Sequence, residues 1–376
     1  MTDLHVSSID TTIVDLPLRR PHRFARHVID RQTYLIVRLV TDAGTIGVGE
    51  GVSPGGPWWN GESVEGQQQM VEHYIAPALI GSDCLDLQGA LLRMDQVAYA
   101  NDFAKAAVEM ALTDAAARAH GVPAHVLIGG AATRRSFPVR WALSGLGEEP
   151  VVQDAAEHIA LGHRALKLKM GALDPEEDLR RVALLLDKIG EELDYIADPN
   201  CSWDYRTAVW AVRELEAMGV RAVEQPLERS DLSGMADLCE RTTRIRLIAD
   251  ESVCRPADAV AVARHRACDA VAVKPAKAGG LRRAARVASI IDSANMSCYG
   301  GTALESSLGT AAAAQLFASM DQLDMGCELI GPLLLADDLV VKPLSYRDGN
   351  LQLPDGPGLG VEVDWDQVGR YARNAR

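Results

Sequence analysis

The spacing of apolar and polar positions changes part-way along this chain. Over residues 5–52 the two kinds alternate in runs of strand length, at 8–17, 34–41 and 45–49, with the turn signal Asp42-Ala43-Gly44 between the last two. That pattern predicts a small antiparallel sheet. A Gly/Pro/Trp loop over 53–61 leads into helical spacing at 63–79, 87–98 and 104–120, so residues 1–130 read as an α+β unit. After Gly129-Gly130, short β-like runs alternate with helical segments, the signature of repeated βα units around a parallel sheet. Strands are predicted at 137–143, 165–169, 195–198, 222–224, 247–250, 270–274, 296–299 and 325–328. Eight such units close into a β/α barrel over residues 131–340, with its active site at the C-terminal ends of the strands. Residues 341–376 lose the alternation, and this tail, with Pro354-Asp355-Gly356-Pro357-Gly358-Leu359-Gly360, is expected to fold back over the first unit.

One predicted strand breaks the rule for buried parallel strands, which usually run unbroken in apolar residues. In Ala165-Leu166-Lys167-Leu168-Lys169-Met170, alternation puts Lys167 and Lys169 on one face and the large apolar residues on the other. Two inward lysines require nearby negative charge or a wet pocket. Asp198, Glu224 and Asp250 supply it: each ends a predicted strand, and they stand 26 residues apart, one βα unit each. Carboxylates converging at a barrel mouth repel unless a cation sits between them, and hard oxygen ligands suit Mg2+ or Mn2+. Lys274 ends the next strand and Glu328 the eighth. A lysine beside a divalent ion and a second lysine is expected to have a depressed pKa and to serve as a general acid/base. The residues therefore point to carbanion or enolate chemistry beside a carboxylate. They leave open a barrel that binds a metal or an anion without catalysis.

Composition narrows the classes. With 376 residues, 48% of them hydrophobic, the chain can bury a large core. A net charge of −14 disfavours nucleic acid and anionic membranes as partners. No apolar run reaches the ~20 residues of a membrane span, and the first ten residues are polar, so a cytoplasmic location is expected. The seven cysteines are scattered without a C-x-x-C pair and read as core. There is no H-x-x-x-H, Walker or G-x-S-x-G motif. Gly300-Gly301-Thr302 is read as a turn whose amides hold an anion at a helix start, Trp58-Trp59 as a loop reaching a ligand, and His22 and Arg26 as surface residues.

These residues resemble the muconate-lactonizing subgroup of the enolase superfamily over nearly the whole chain. The subgroup's lysine pair falls on Lys167 and Lys169, its metal ligands on Asp198, Glu224 and Asp250, its second lysine on Lys274 and its last acid on Glu328, with Asn200, Gln225-Pro226 and Glu251-Ser252 at flanking positions. Gly300-Gly301-Thr302-Ala303-Leu304-Glu305-Ser306, Glu328-Leu329-Ile330-Gly331-Pro332-Leu333-Leu334 and Tyr346-Arg347-Asp348 are more specific to it. The resemblance implies an enolase-type barrel under an N-terminal capping domain completed by the tail. It also implies metal-dependent closure of cis,cis-muconate, or a substituted muconate, to muconolactone. By the same resemblance Lys169 delivers the proton, Lys274 is a fixed positive charge, and Glu328 bonds near Lys274 or relays a proton. Asn200, Gly301, Thr302 and Trp59 are the implied substrate contacts, and a homo-oligomer, often an octamer, is the implied assembly. Related members racemise N-acylamino acids, epimerise dipeptides or dehydrate with the same lysines and metal, and that alternative stays open. The lack of histidine over 296–302 sets the chain apart from the mandelate-racemase-like branch.

Overall fold

The computed structural model describes residues 4–23, 27–144 and 147–373. The alternating N-terminal runs form an antiparallel sheet of β1 (Val6–Arg23), β2 (Val28–Thr41) and β3 (Ile46–Val52) in the order β1-β2-β3. The helical pattern over 63–79 is one continuous rod with a π turn, Val71–Ile75, between Val64–Met70 and Ala76–Leu79. The helix Asp102–Ala119 is buried almost throughout because it lies between this sheet and the barrel. Its Glu109 accepts from the amides of Leu281 and Arg282, and its Asp102 pairs with Arg255 and Arg283. These contacts dock the cap on the barrel.

Seven parallel strands make the barrel wall, in sequence order: β5 (Trp141–Leu143), β6 (Ala165–Lys169), β7 (Asp194–Asp198), β8 (Ala222–Glu224), β9 (Arg246–Ala249), β10 (Ala270–Val273) and β11 (Ser297–Gly300). Aspartates start several of the intervening helices: Asp174, Asp204 and Asp231 each accept a first-turn amide. Two predicted strands differ from expectation. The run 137–143 is broken, so that β4 (Ser136–Pro138) joins a separate small sheet with β12 (Tyr346–Arg347) and β13 (Asn350–Gln352) from the tail, and only β5 enters the barrel. The eighth strand shrinks to Cys327, which bridges Val139 on one side and Gly300 on the other and so links the two ends of the curled sheet. A strand squeezed between two partners needs only this one shared residue to link them.

The tail reaches the cap. The Leu359 amide donates to Asp114, Arg118 donates to the Val361 carbonyl, and Arg373 pairs with Asp15. All seven cysteines are free thiols, with Cys84, Cys268, Cys298 and Cys327 buried. No helix among the described residues is long and apolar enough to cross a membrane.

Candidate active site

Strand alternation explains how a barrel interior can be apolar at one end and charged at the other. Ile196, Ala222, Ile248, Ala270, Ala272 and Tyr299 form a buried cluster inside the strands. Two residues further along, on the same faces, come Asp198, Glu224, Asp250 and Lys274. Lys167 and Lys169 project with them: they are 1% and 7% exposed, while Leu166 and Leu168 pack into the outer core.

The charges pair lysine to carboxylate. Lys167 Nζ lies 2.6 Å from Glu328, 2.9 Å from Glu224 and 3.0 Å from Asp198. Lys169 donates to Asp198 at 2.6 Å and, more weakly, to Asn200 at 3.4 Å. Lys274 donates to Asp250 at 2.6 Å, and Lys277 holds the same residue through its carboxylate and its carbonyl. Glu328 bonds Lys167, with the Tyr299 hydroxyl 3.2 Å away, whereas the resemblance implied a bond near Lys274 or a proton relay. In this arrangement the carboxylates decide the charge state of two of the lysines. Burial alone would lower Lys167 and Lys274, but Asp198, Glu224 and Glu328 around the first, and Asp250 and Glu224 around the second, outweigh it and raise both. For both lysines the nearby carboxylates outweigh the neighbouring ammoniums.

The acids divide in the same way. Desolvation opposes ionisation of Asp250, yet Lys274 and Lys277 hold it well below the usual range. Burial pushes Glu224 up to about 8 and Glu251 up to about 7, with neighbouring carboxylates adding to both. Two buried oxygens here receive no directed hydrogen bond, Oε2 of Glu224 and Oε2 of Glu251. Glu224 Oε2 does lie near the Lys167 ammonium, but out of line for a bond. Among the described residues, no three acidic, histidine or cysteine groups are grouped as metal ligands, and Asp198, Glu224 and Asp250 are each turned to a lysine. The donor set itself, buried hard oxygens with two of them unsatisfied and five carboxylates against four ammoniums, fits a divalent cation.

A narrow cleft with free volume of about 20 Å³, partly open to solvent, is lined by Pro54, Trp59, Lys167, Lys169, Asn200, Lys274, Thr302, Ala303, Leu304 and Glu328. It gathers seven of the predicted residues. Trp59 comes from the cap and sets its ring 5.1 Å from the Lys274 ammonium, while Trp58 stacks on His27. Gly301 lies against the stem of Lys274. A Cβ there would meet Lys274 Cε at 2.4 Å, so this glycine lets the lysine stem pass. The amides of Gly300 and Gly301 donate to the Gly326 and Val273 carbonyls and so are already engaged, and the next helix begins only at Ser307. His22, read as surface, is buried, and Arg26 lies outside the described residues.

Two members, Lys277 and Tyr299, were not singled out from the sequence, and a third, Glu251, was placed only at a flanking position. Glu251 follows Asp250 directly, and strict alternation would turn it away, but β9 ends at Ala249 and the turn brings both inward, where Asn200 Nδ2 donates to Glu251 at 3.2 Å. Lys277 enters by the single turn Pro275–Ala278, and the Lys274-x-x-Lys277 spacing was its signal. Tyr299 sits below Lys167, and nothing in its strand marks it out.

A family described as "Mandelate racemase / muconate lactonizing enzyme, N-terminal domain" matches residues 8–129, and one described as "Enolase C-terminal domain-like" matches residues 151–367. The chain belongs to the mandelate racemase/muconate-lactonizing enzyme family. Among relatives, muconate cycloisomerase 1 of Rhodococcus opacus is 43% identical over the full length of both chains, and a chloromuconate cycloisomerase of Cupriavidus pinatubonensis is 42% identical over 96% of this chain and 97% of its own. A crystal structure of 2-chloromuconate cycloisomerase from Rhodococcus opacus 1CP superposes with a TM-score of 0.96 at 40% identity, covering 98% of this chain and all of the other. Muconate lactonizing enzyme from Pseudomonas fluorescens complexed with muconolactone gives 0.96 at 36% identity over 99% and 100%. This family member thus has its enolase-superfamily fold and its kinship with cycloisomerase enzymes in hand.

Proposed function

We propose that this enzyme closes cis,cis-muconate, or a substituted muconate, to the corresponding muconolactone. The observation that carries the reading is the cleft, whose lining combines Lys167, Lys169 and Lys274 with the uncharged Pro54, Ala303 and Leu304. Ammoniums in the lining suit a dianion, and the apolar side chains suit its diene.

In the reaction, an oxygen of the first carboxylate (carbon 1) adds to carbon 4 of the six-carbon chain, forming the five-membered ring as the double bond between carbons 4 and 5 opens. The electron pair moves to the carbon beside the second carboxylate, which becomes an enolate. Lys169, at the cleft surface and bonded to Asp198 and Asn200, gives its proton to that carbon and is recharged from solvent. Lys274, held between Asp250 and the Trp59 ring, stays charged and orients the substrate. Lys167 is fixed by three carboxylates and serves as a buried counter-charge. Asp198, Glu224 and Asp250 would hold a divalent cation, Mg2+ or Mn2+, which when bound offsets the second negative charge of the enolate.

Residues 1–130 and 341–376 would act as one capping unit over the barrel of 131–340, and the family resemblance favours a homo-oligomer in the cytoplasm. The test is the loss of diene absorbance when purified protein and Mn2+ meet cis,cis-muconate. Fast loss is expected; silence with muconate and chloromuconates, together with α-carbon deuterium exchange on N-acylamino acids or dipeptides, would replace the reading with a racemase or epimerase.

A further inference from the structure

The wall of the cleft contains a backbone that has to be held. Leu304 has φ +61°, in the left-handed region that a branched side chain disfavours, and Thr302 and Ala303 beside it also line the cleft. Within the loop, the Thr302 hydroxyl and the Ala303 amide both donate to Glu305 Oε2, at 2.5 and 2.9 Å. The other restraints come from the cap. The Tyr34 hydroxyl of β2 donates to the Leu304 carbonyl at 2.7 Å, and Glu50 of β3 accepts from the Ser306 amide at 3.1 Å and from the Ser306 hydroxyl. Both cap side chains are buried. A Cβ at Gly309 would meet Glu50 Oε1 at 2.6 Å, so the helix Ser307–Ser319 is notched where Glu50 enters.

We propose that Tyr34 and Glu50 are positioning residues which lock the 302–306 segment from behind, so that the cap sheet sets the substrate wall of the barrel. Neither touches the cleft itself. Their effect passes through Leu304 and Ser306 to the side chains that do.

The charge environment of Glu50 gives the lock a distinctive readout. Facing it are Glu305, Asp338 and Tyr34, with no cation among the described residues that it pairs with. The cations of the helix packed on β3 are committed elsewhere, Lys105 to Asp95 and Arg118 to Asp114. On that helix Glu109 binds amides of the barrel. On the helix Val64–Met70, Glu65 pairs with Arg373, and Lys274 reaches only as far as Glu305. Burial, with Glu305 and Asp338 adding, pushes Glu50 up to about 8, so it is neutral in the closed wall at pH 7. Opening the wall to water would return it to an ordinary carboxyl. Opening then releases a proton, and its equilibrium grows about tenfold per pH unit between roughly pH 5 and 8 before levelling off.

Hydrogen exchange of the peptide covering 300–308, corrected for intrinsic rates, tests this on the full-length protein without any substrate. Wild-type protection should fall with pH across that window and flatten above it. Glu50→Gln keeps the shape and removes the titration, and should lower the slope by about one decade per pH unit. Tyr34→Phe should lose about tenfold in protection at every pH with the slope unchanged. The inference is overturned if Glu50→Gln keeps the wild-type slope or if Tyr34→Phe keeps wild-type protection; should Glu50→Gln not fold, Tyr34→Phe decides alone. A kinetic arm rests on the muconate reading: KM should rise several-fold in Tyr34→Phe with kcat within about twofold. If muconate is the wrong substrate the kinetic arm is silent for wild type too, and the exchange result stands independently.

Discussion

Replacing Lys169 by methionine separates chemistry from stability, because of how Asp198 is paired. Asp198 contacts two ammoniums, Lys169 at 2.6 Å and Lys167 at 3.0 Å. Deleting the first leaves the second, so the buried carboxylate is never stranded. The stability cost is then that of one charged hydrogen bond, about 1.5–3 kcal/mol. For a chain of 376 residues the unfolding entropy is about 0.8 kcal/mol per degree, so Tm should drop by about 2–4 °C. Loss of the proton donor should cost turnover about 10²–10⁴-fold, equivalent to about 3–5 kcal/mol in the barrier. The assay is initial-rate loss of diene absorbance at saturating muconate and Mn2+, run beside a thermal melt of the same sample. A variant retaining more than about a tenth of kcat would refute Lys169 as the donor. A Tm drop far beyond this range would refute the claim that Lys167 keeps Asp198 compensated.

Lys167→Met should behave in the opposite way, since three carboxylates lose their shared counter-charge: about 3–5 kcal/mol, or about 4–6 °C in Tm, and a melt within 1 °C of wild type would contradict it. Gly301→Ala places a methyl against the Lys274 stem and should reduce kcat at least about tenfold while costing about 1–3 kcal/mol in stability, as read by paired kinetics and melts. Burial first, and then the Lys169 charge, lower His22 to about 4. Its unfolded form binds a proton near pH 6.5, so the folded state loses about 3 kcal/mol as pH falls from 6.5 to 4, and none above 6.5. Acid titration of wild type against His22→Gln should find a flatter profile for the variant over that window. Treatment with a chelator should abolish turnover, and added Mn2+ or Mg2+ should restore it; full activity after exhaustive chelation would remove the cation from the proposal.

The local pattern of the sequence determined a great deal here. A period of two sets which face a side chain takes, so Lys167 and Lys169 were legible as an inward pair and Asp198, Glu224 and Asp250 as strand-end acids from spacing alone. The regular βα rhythm determined the barrel class for the same reason, because each unit buries its apolar strand only against its neighbours. What alternation could not reach was anything past the last residue of a strand. Glu251 and Lys277 join the charge cluster through turns, and the close approach of Gly301 to the Lys274 stem lies past a strand end.

Pairings between distant segments were decided only by tertiary structure. Glu328 and Lys167 are 161 residues apart and Ser306 and Glu50 256 apart, and no period links such positions. His22 shows the same limit: its neighbours in sequence are polar and suggest surface, but the folded chain buries it close to Lys169. The direction of the lysine pKa shifts followed from this too. Residue types in the sequence establish that charges converge, whereas the sign of each shift depends on which opposite charge lies within about 3 Å, and only packing fixes that distance.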